Sequence, residues 1–165
     1  VEGSLARWGH PHYLRTHNAI RKKVEKEIGR KLYNTYFYDR FYFAGNQLLN
    51  HIDRDACEIS VSVHISTNLP EPEKHWPIKI KTPDTYTDDK KTAVLVPGME
   101  RSVVLQSGDG LIYKGSERPH WRDPMPTPKK KWFSKDETEY YYHQIFFHYV
   151  LQDGERAHYA WDRGG

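Results

Sequence analysis

Between Cys57 and Ser66 the chain reads CEISVSVHIS, in which β-branched residues alternate with polar ones. A period of two is that of an extended strand, so Ile59, Val61, Val63 and Ile65 share one face and Ser60, Ser62 and His64 the other. Glu58 has the same parity as Ser60 and Ser62. A row of polar groups turned into the interior of a layered β fold is costly unless it meets ligand or water. The strand therefore predicts a sheet with an apolar side and a side that borders a wet or liganded cavity.

Other stretches have the same β character. Runs rich in Val, Ile, Tyr and Phe predict strands at Asn34 to Phe43, Trp76 to Lys81, Thr92 to Val96, Ser102 to Gln106, Leu111 to Lys114 and Tyr140 to Leu151. Twelve Tyr and five Trp reinforce that bias. One helix is expected from about His12 to Ile28, where Ile20, Val24 and Ile28 recur every four residues and Gly29 follows as a stop. The pattern is that of a mainly β sandwich or barrel with a helix packed outside it. At 165 residues, one domain over 1–165 is expected, with the β core at about 34–151.

A single cysteine, Cys57, excludes an internal disulfide framework, and no apolar run reaches membrane-spanning length. A cytoplasmic location without a membrane partner is the expectation. A net charge of +3 is far below that of a dedicated nucleic-acid binder, although KKKW at Lys129 to Trp132 is a local basic cluster and keeps nucleic acid open as a partner. Two Pro- and charge-rich segments, Leu69 to Trp76 and Asp123 to Glu139, read as connections, and the length of the second suggests a mobile loop flanking a site.

Just before the alternating strand stand His51 and Asp53, in NHIDRD. Residues two apart in an extended segment point the same way, so this imidazole and carboxylate can grip one ion from one face. A third ligand is required. His10, His12 and His17 lie in or before the helix, His75 in a Pro-rich loop and His158 near the C-terminus, while His143 and His148 are five apart on one strand and face opposite ways. His64 lies deep in its strand. His120, in SGDGLIYKGSERPHWRDP, stands where a strand begins. Two imidazoles and one carboxylate on one face suit a non-haem iron(II) oxygenase, and the ligands alone also suit a zinc hydrolase, but no His-Glu-x-x-His helix is present.

From TYFYDRFYFAGNQLLNHIDRDACEISVSVHIS through WPI and SGDGLIYKGSERPHWRDP to HQIFFHYVLQDG, the chain resembles the iron(II)- and 2-oxoglutarate-dependent dioxygenases, particularly the prolyl-4-hydroxylase-like branch of bacteria and phages. The resemblance implies a double-stranded β-helix, or jelly-roll, with iron(II) held by His51, Asp53 and His120. It also implies 2-oxoglutarate and O2 as co-substrates, with ascorbate a candidate addition. Succinate and carbon dioxide are then co-products, and a peptide or protein bearing a prolyl residue is the leading substrate. A nucleobase or free amino acid is the alternative substrate, and a non-catalytic jelly-roll binding module the alternative of another class. Oligomeric state stays open.

The sequence departs from the family at one point. The family places an Arg or Lys on the last core strand for the distal carboxylate of 2-oxoglutarate, and YYYHQIFFHYVL has neither. Arg122, two residues past His120 and so on the same face, is the replacement expected here, because its planar fork suits a carboxylate. Tyr42 resembles the family's tyrosine that bonds the same carboxylate, and Ser60 and Ser62 are expected along the co-substrate cavity. Arg54, Trp76, Tyr113 and Trp121 are the residues expected to line the substrate face.

Overall fold

A computed structural model describes residues 1–89, 92–129 and 138–164. In chain order the strands are β1 (Leu5–Trp8), β2 (Leu32–Phe43), β3 (Leu48–His51), β4 (Ile59–Thr67), β5 (Ile78–Lys81), β6 (Thr85–Asp89), β7 (Thr92–Val96), β8 (Glu100–Val103), β9 (Gly110–Tyr113), β10 (His120–Arg122) and β11 (Tyr141–Leu151). A single α-helix among the described residues, α1 (Leu14–Ile28), precedes β2.

The strands form a five-stranded antiparallel sheet in the order β1-β2-β11-β4-β9, a four-stranded sheet in the order β3-β10-β5-β8 and a two-stranded ribbon β6-β7. Two such sheets with helix outside make the expected mainly β jelly-roll.

The alternation of β4 decides which side of the large sheet the helix covers. Ile59 and Val61 join Phe37 of β2 and Ile145, Phe147 and Tyr149 of β11 in one apolar layer, and Val24 of α1 fills it. Ile20 and Ile28 pack against the same layer, so the four-residue spacing read from the sequence is the buried stripe. Gly29 ends the helix at φ 67°, and its N–H donates to Glu25 O at 2.9 Å.

Three strands were not anticipated, β1, β3 and β6; they are short, and β6 carries two aspartates. β5 starts at Ile78 rather than Trp76, since Pro77 has no N–H for a ladder. Cys57 belongs to a 3-10 turn, Asp55–Cys57, that leads into β4. Glu58 is drawn to the end of the sheet, where its carboxylate accepts the Leu151 N–H at 2.8 Å.

Of the long segment Asp123 to Glu139, residues 130–137 lie outside the described residues, as do Lys130 to Trp132 of the basic cluster. Its first part is anchored: Met125 is buried and exchanges backbone hydrogen bonds with Gly45 and Asn46. No helix among the described residues is long and apolar enough to cross a membrane.

Candidate functional site

His51 ends β3 and His120 begins β10, and the two are direct cross-strand partners. Their ring centroids lie 4.4 Å apart. Asp53 sits two residues beyond His51 and is tied down by its own N–H, which donates to Gly115 O at 2.9 Å. One carboxylate oxygen, Oδ1, lies 3.3 Å from His51 Nε2 and 3.5 Å from His120 Nε2. Three candidate ligand atoms thus converge within 4.8 Å.

The backbone sets which nitrogens face inward. His51 Nδ1 lies 2.7 Å from Leu49 O, and His120 Nδ1 lies 2.9 Å from Arg118 O. A carbonyl only accepts, so each Nδ1 carries the proton and each Nε2 turns a lone pair toward Asp53. Lone pairs gathered on a carboxylate repel unless a cation or proton sits among them. The charges show the same demand: burial would raise the Asp53 carboxyl, but the facing imidazoles of His120 and His51, which stabilise the carboxylate whenever they carry positive charge, outweigh it and hold it well below the usual carboxylate range. The same Asp53 contact raises His51. His120 is 2% exposed, whereas the His51 side chain is 38% exposed, so the cluster opens on the His51 side.

Two residues along β10 from His120 lies a second polar group set. Arg122 is 1% exposed, with its guanidinium 4.7 Å from the Trp76 ring centroid and 4.8 Å from that of Tyr142. Nη1 donates to Trp76 O at 2.8 Å, while Nε and Nη2 have no partner among the described residues. Around it the hydroxyls of Tyr42 and Tyr142, both amide atoms of Gln144 and Nδ1 of His64 are likewise buried and unpartnered. Strand register explains the gathering: Tyr142 pairs with Tyr42 and Gln144 with His64 across three adjacent strands. Burial raises both phenols against the opposing pull of Arg122, so they are neutral donors. Among the described residues, most of the buried side-chain polar atoms without a partner fall in this one place. Buried polar groups without partners, gathered around a cation, call for a ligand or water to satisfy them.

The remaining expected residues are distributed unevenly. Ser62 Oγ pairs with Tyr113 OH at 3.1 Å, and the Tyr113 ring meets His120 edge-on at 4.8 Å. Ser60 is turned to Asp53 rather than to open space, at 3.0 Å. Trp76 packs edge-on against Tyr42 and Tyr142 in the core beside Arg122, its Nε1 donating to Asp123 O. Trp121 alternates to the opposite face of β10 from His120 and Arg122. Arg54 is paired with Asp162 at 3.0 Å and lies over Tyr36.

Tyr142, Gln144 and Gly115 are the participants not singled out from the sequence, whereas His64 lies on the polar face that the alternation of β4 assigned to it. A lone amide at Gln144 within an apolar strand was the available signal for the first pair. Gly115 had none, although a Cβ there would stand 2.3 Å from both Asp53 Oδ2 and Ser60 Oγ.

No protein-family model matches the sequence, and no curated protein matches it significantly. Solved structures do match. A prolyl-4-hydroxylase from Pseudomonas putida aligns over 88% of this chain and 72% of its own, with TM-score 0.56 and 16% identity. An oxidoreductase of the 2OG-Fe(II) oxygenase family from Burkholderia pseudomallei aligns over 89% of this chain and 66% of its own, with TM-score 0.57 and 8% identity. A prolyl hydroxylase from Trichoplax adhaerens, in complex with a peptide fragment of the hypoxia inducible factor oxygen degradation domain, aligns over 95% and 66%, with TM-score 0.51 and 14% identity. The chain thus spans about two thirds of these proteins' lengths and has their fold.

Proposed function

We propose that this chain is an iron(II)- and 2-oxoglutarate-dependent oxygenase that hydroxylates an unactivated carbon. The carrying observation is a pair of polar clusters joined by β10: His51, Asp53 and His120 converge at its start, and buried Arg122 stands two residues on with unused donors. Two His and one carboxylate that leave further positions open are the ligand set of non-haem iron(II) oxygenases. His120 and Arg122 are two residues apart on β10, about 6.6 Å at the usual strand rise. That separation suits a short diacid bound at both ends.

Iron(II) held by His51, Asp53 and His120, with 2-oxoglutarate and O2, would supply the oxidising power to put one oxygen atom into a substrate C–H bond. The protein's own part is to hold and to orient. The carbonyls of Leu49 and Arg118 fix the two imidazoles with Nε2 inward. Arg122 supplies charge and two free N–H donors for the distal carboxylate, and Tyr42 and Tyr142 add neutral O–H donors. The aromatic walls of Trp76, Tyr142 and Tyr113 keep bulk water from that end.

A prolyl residue in a peptide or protein is the leading substrate, supported by two prolyl hydroxylases among the similar folds, one of them holding a peptide. The test is succinate formation from 2-oxoglutarate with added iron(II), first alone and then with a proline-rich peptide. Turnover is expected, and a His120→Ala variant should lose it. Absence of turnover in the wild-type protein, or its survival in His120→Ala, overturns the reading; stimulation by a nucleobase or free amino acid but not by the peptide moves the substrate.

A further inference from the structure

Behind Asp53 a line of groups runs into the large sheet. Asp53 Oδ1 faces the two imidazoles, but its other oxygen, Oδ2, is 3.0 Å from Ser60 Oγ on β4. Ser60 Oγ is in turn 2.9 Å from His148 Nδ1 on β11 and 3.3 Å from Cys57 O. Ser60 is fully buried and His148 nearly so.

The chemistry assigns the protons. A carboxylate only accepts, so the single hydroxyl hydrogen of Ser60 goes to its charged and nearer neighbour, Asp53, rather than to the Cys57 carbonyl. Ser60 then has only a lone pair left for His148, and Nδ1 must be the imidazole nitrogen that carries the hydrogen. His148 Nε2 is left as a bare acceptor, consistent with its having no partner among the described residues. Burial pushes the His148 pKa down to about 4, so the ring is neutral and one tautomer suffices.

Gly115 closes the arrangement from the other side. A side chain there would strike Asp53 Oδ2 and Ser60 Oγ at 2.3 Å, so the carboxylate is wedged against backbone while Ser60 holds it. Asp53, Cys57 and His148 also bring ligand-type atoms within 4.8 Å of one another. We do not read them as a second metal site, because Asp53 is shared with the His51 and His120 cluster and the Cys57 sulfur is engaged by Tyr36 OH at 3.1 Å.

We propose that His148 and Ser60 are positioning residues for Asp53: a one-way chain of hydrogen bonds, from His148 Nδ1–H to Ser60 Oγ and from Ser60 Oγ–H to Asp53 Oδ2, occupies one carboxylate oxygen so that only Oδ1 is offered to the metal. A carboxylate held to one oxygen leaves more positions for co-substrates than one free to bind through both. The inference rests on the metal reading of His51, Asp53 and His120.

The experiment is titration of the metal-free protein with cobalt(II) alone, following the visible absorption of the bound ion. Ser60→Ala should weaken binding about 10- to 100-fold, the usual effect of removing such a partner, and change the cobalt spectrum as the freed carboxylate turns. His148→Asn, whose side-chain N–H stands where Nδ1–H was, should stay near wild type; His148→Leu, which fills the space without a donor, should behave as Ser60→Ala. A packing role predicts the reverse order of the two His148 variants, and that order overturns the proposal. Should His148→Leu not fold, Ser60→Ala decides: wild-type affinity and spectrum there, with Asp53→Ala binding weakly, removes the relay and leaves the metal site. Wild-type binding by Asp53→Ala removes both.

Discussion

The two faces of the large sheet are made by the same strands and differ in everything that matters for function. On the outer face Ile59, Val61, Phe37, Ile145, Phe147 and Tyr149 interlock with Val24 of α1. Alternate residues of those strands, Ser60, Ser62, His64, Tyr142, Gln144 and His148, turn to the inner face, all nearly or fully buried. Buried apolar side chains each contribute roughly 1.5 to 3 kcal/mol, whereas buried polar atoms without partners cost free energy. The outer face is therefore the core that holds the fold. The inner face spends part of that stability on gathering buried polar groups. Substitutions on the two faces should separate stability from ligand affinity.

The largest separation is expected within β11. Phe147 is 1% exposed in the apolar layer, and Phe147→Ala should cost about 3 to 5 kcal/mol of unfolding free energy. Gln144, three residues earlier, has no partner for its amide. Gln144→Met should leave the denaturation midpoint unchanged or raise it while weakening 2-oxoglutarate binding. Chemical denaturation of the two variants, with calorimetric titration of the folded fraction, tests both halves. A Gln144→Met variant as unstable as Phe147→Ala breaks the division of labour.

A slightly smaller effect, in affinity alone, is expected at Arg122. Arg122→Met should weaken 2-oxoglutarate binding to the metal-loaded protein by about two orders of magnitude, since losing one partner of a buried charged pair costs roughly 3 to 5 kcal/mol in full. Metal binding and thermal stability should survive, because Met keeps much of the volume and removes a charge that no carboxylate of the described residues balances. Arg122→Lys should recover only part of the affinity, as it restores charge without the fork. Equal dissociation constants for wild type and Arg122→Met move the anion elsewhere in the cavity.

Much of this division was legible beforehand. A period of two in CEISVSVHIS separates the faces of β4, and parity alone puts Arg122 beside His120 and sends His143 and His148 to opposite sides. His143 bonds Asp39 at 2.7 Å on the outer side, while His148 meets Ser60 within. What parity cannot supply is which strands become neighbours. Tyr142 and Gln144 matter because β11 lies between β2 and β4, and His148 because that pairing brings it to Ser60. Gly115 is a question of close approach between segments far apart in the chain, for which a lone sequence carries no sign.

The smallest effect concerns a polar residue on the apolar face, where the comparison is most easily broken. His17 of α1 is 4% exposed, with its ring centroid 5.1 Å from that of Phe37 and 5.6 Å from that of Phe147. Its Nε2–H donates to His148 O at 3.1 Å, so unlike Gln144 and Arg122 Nη2 of the inner face it is satisfied. Burial lowers its pKa to about 4, with Arg21 acting in the same direction. In the unfolded chain the ring protonates as pH falls through about 6.5, while the native ring stays neutral. The unfolded state thus binds more protons from about 6.5 down to about 4, and stability is lost as pH falls through that window and unaffected by this group above it. Between pH 6.5 and 5.5 the wild type should lose about 1 kcal/mol more than His17→Gln, which keeps a donor but cannot titrate. Unfolding curves at the two pH values measure the difference, in which other titrating groups largely cancel. Binding of 2-oxoglutarate should not distinguish the two proteins. An equal pH dependence means His17 protonates without leaving its site, and the outer face is then wetter than its packing implies.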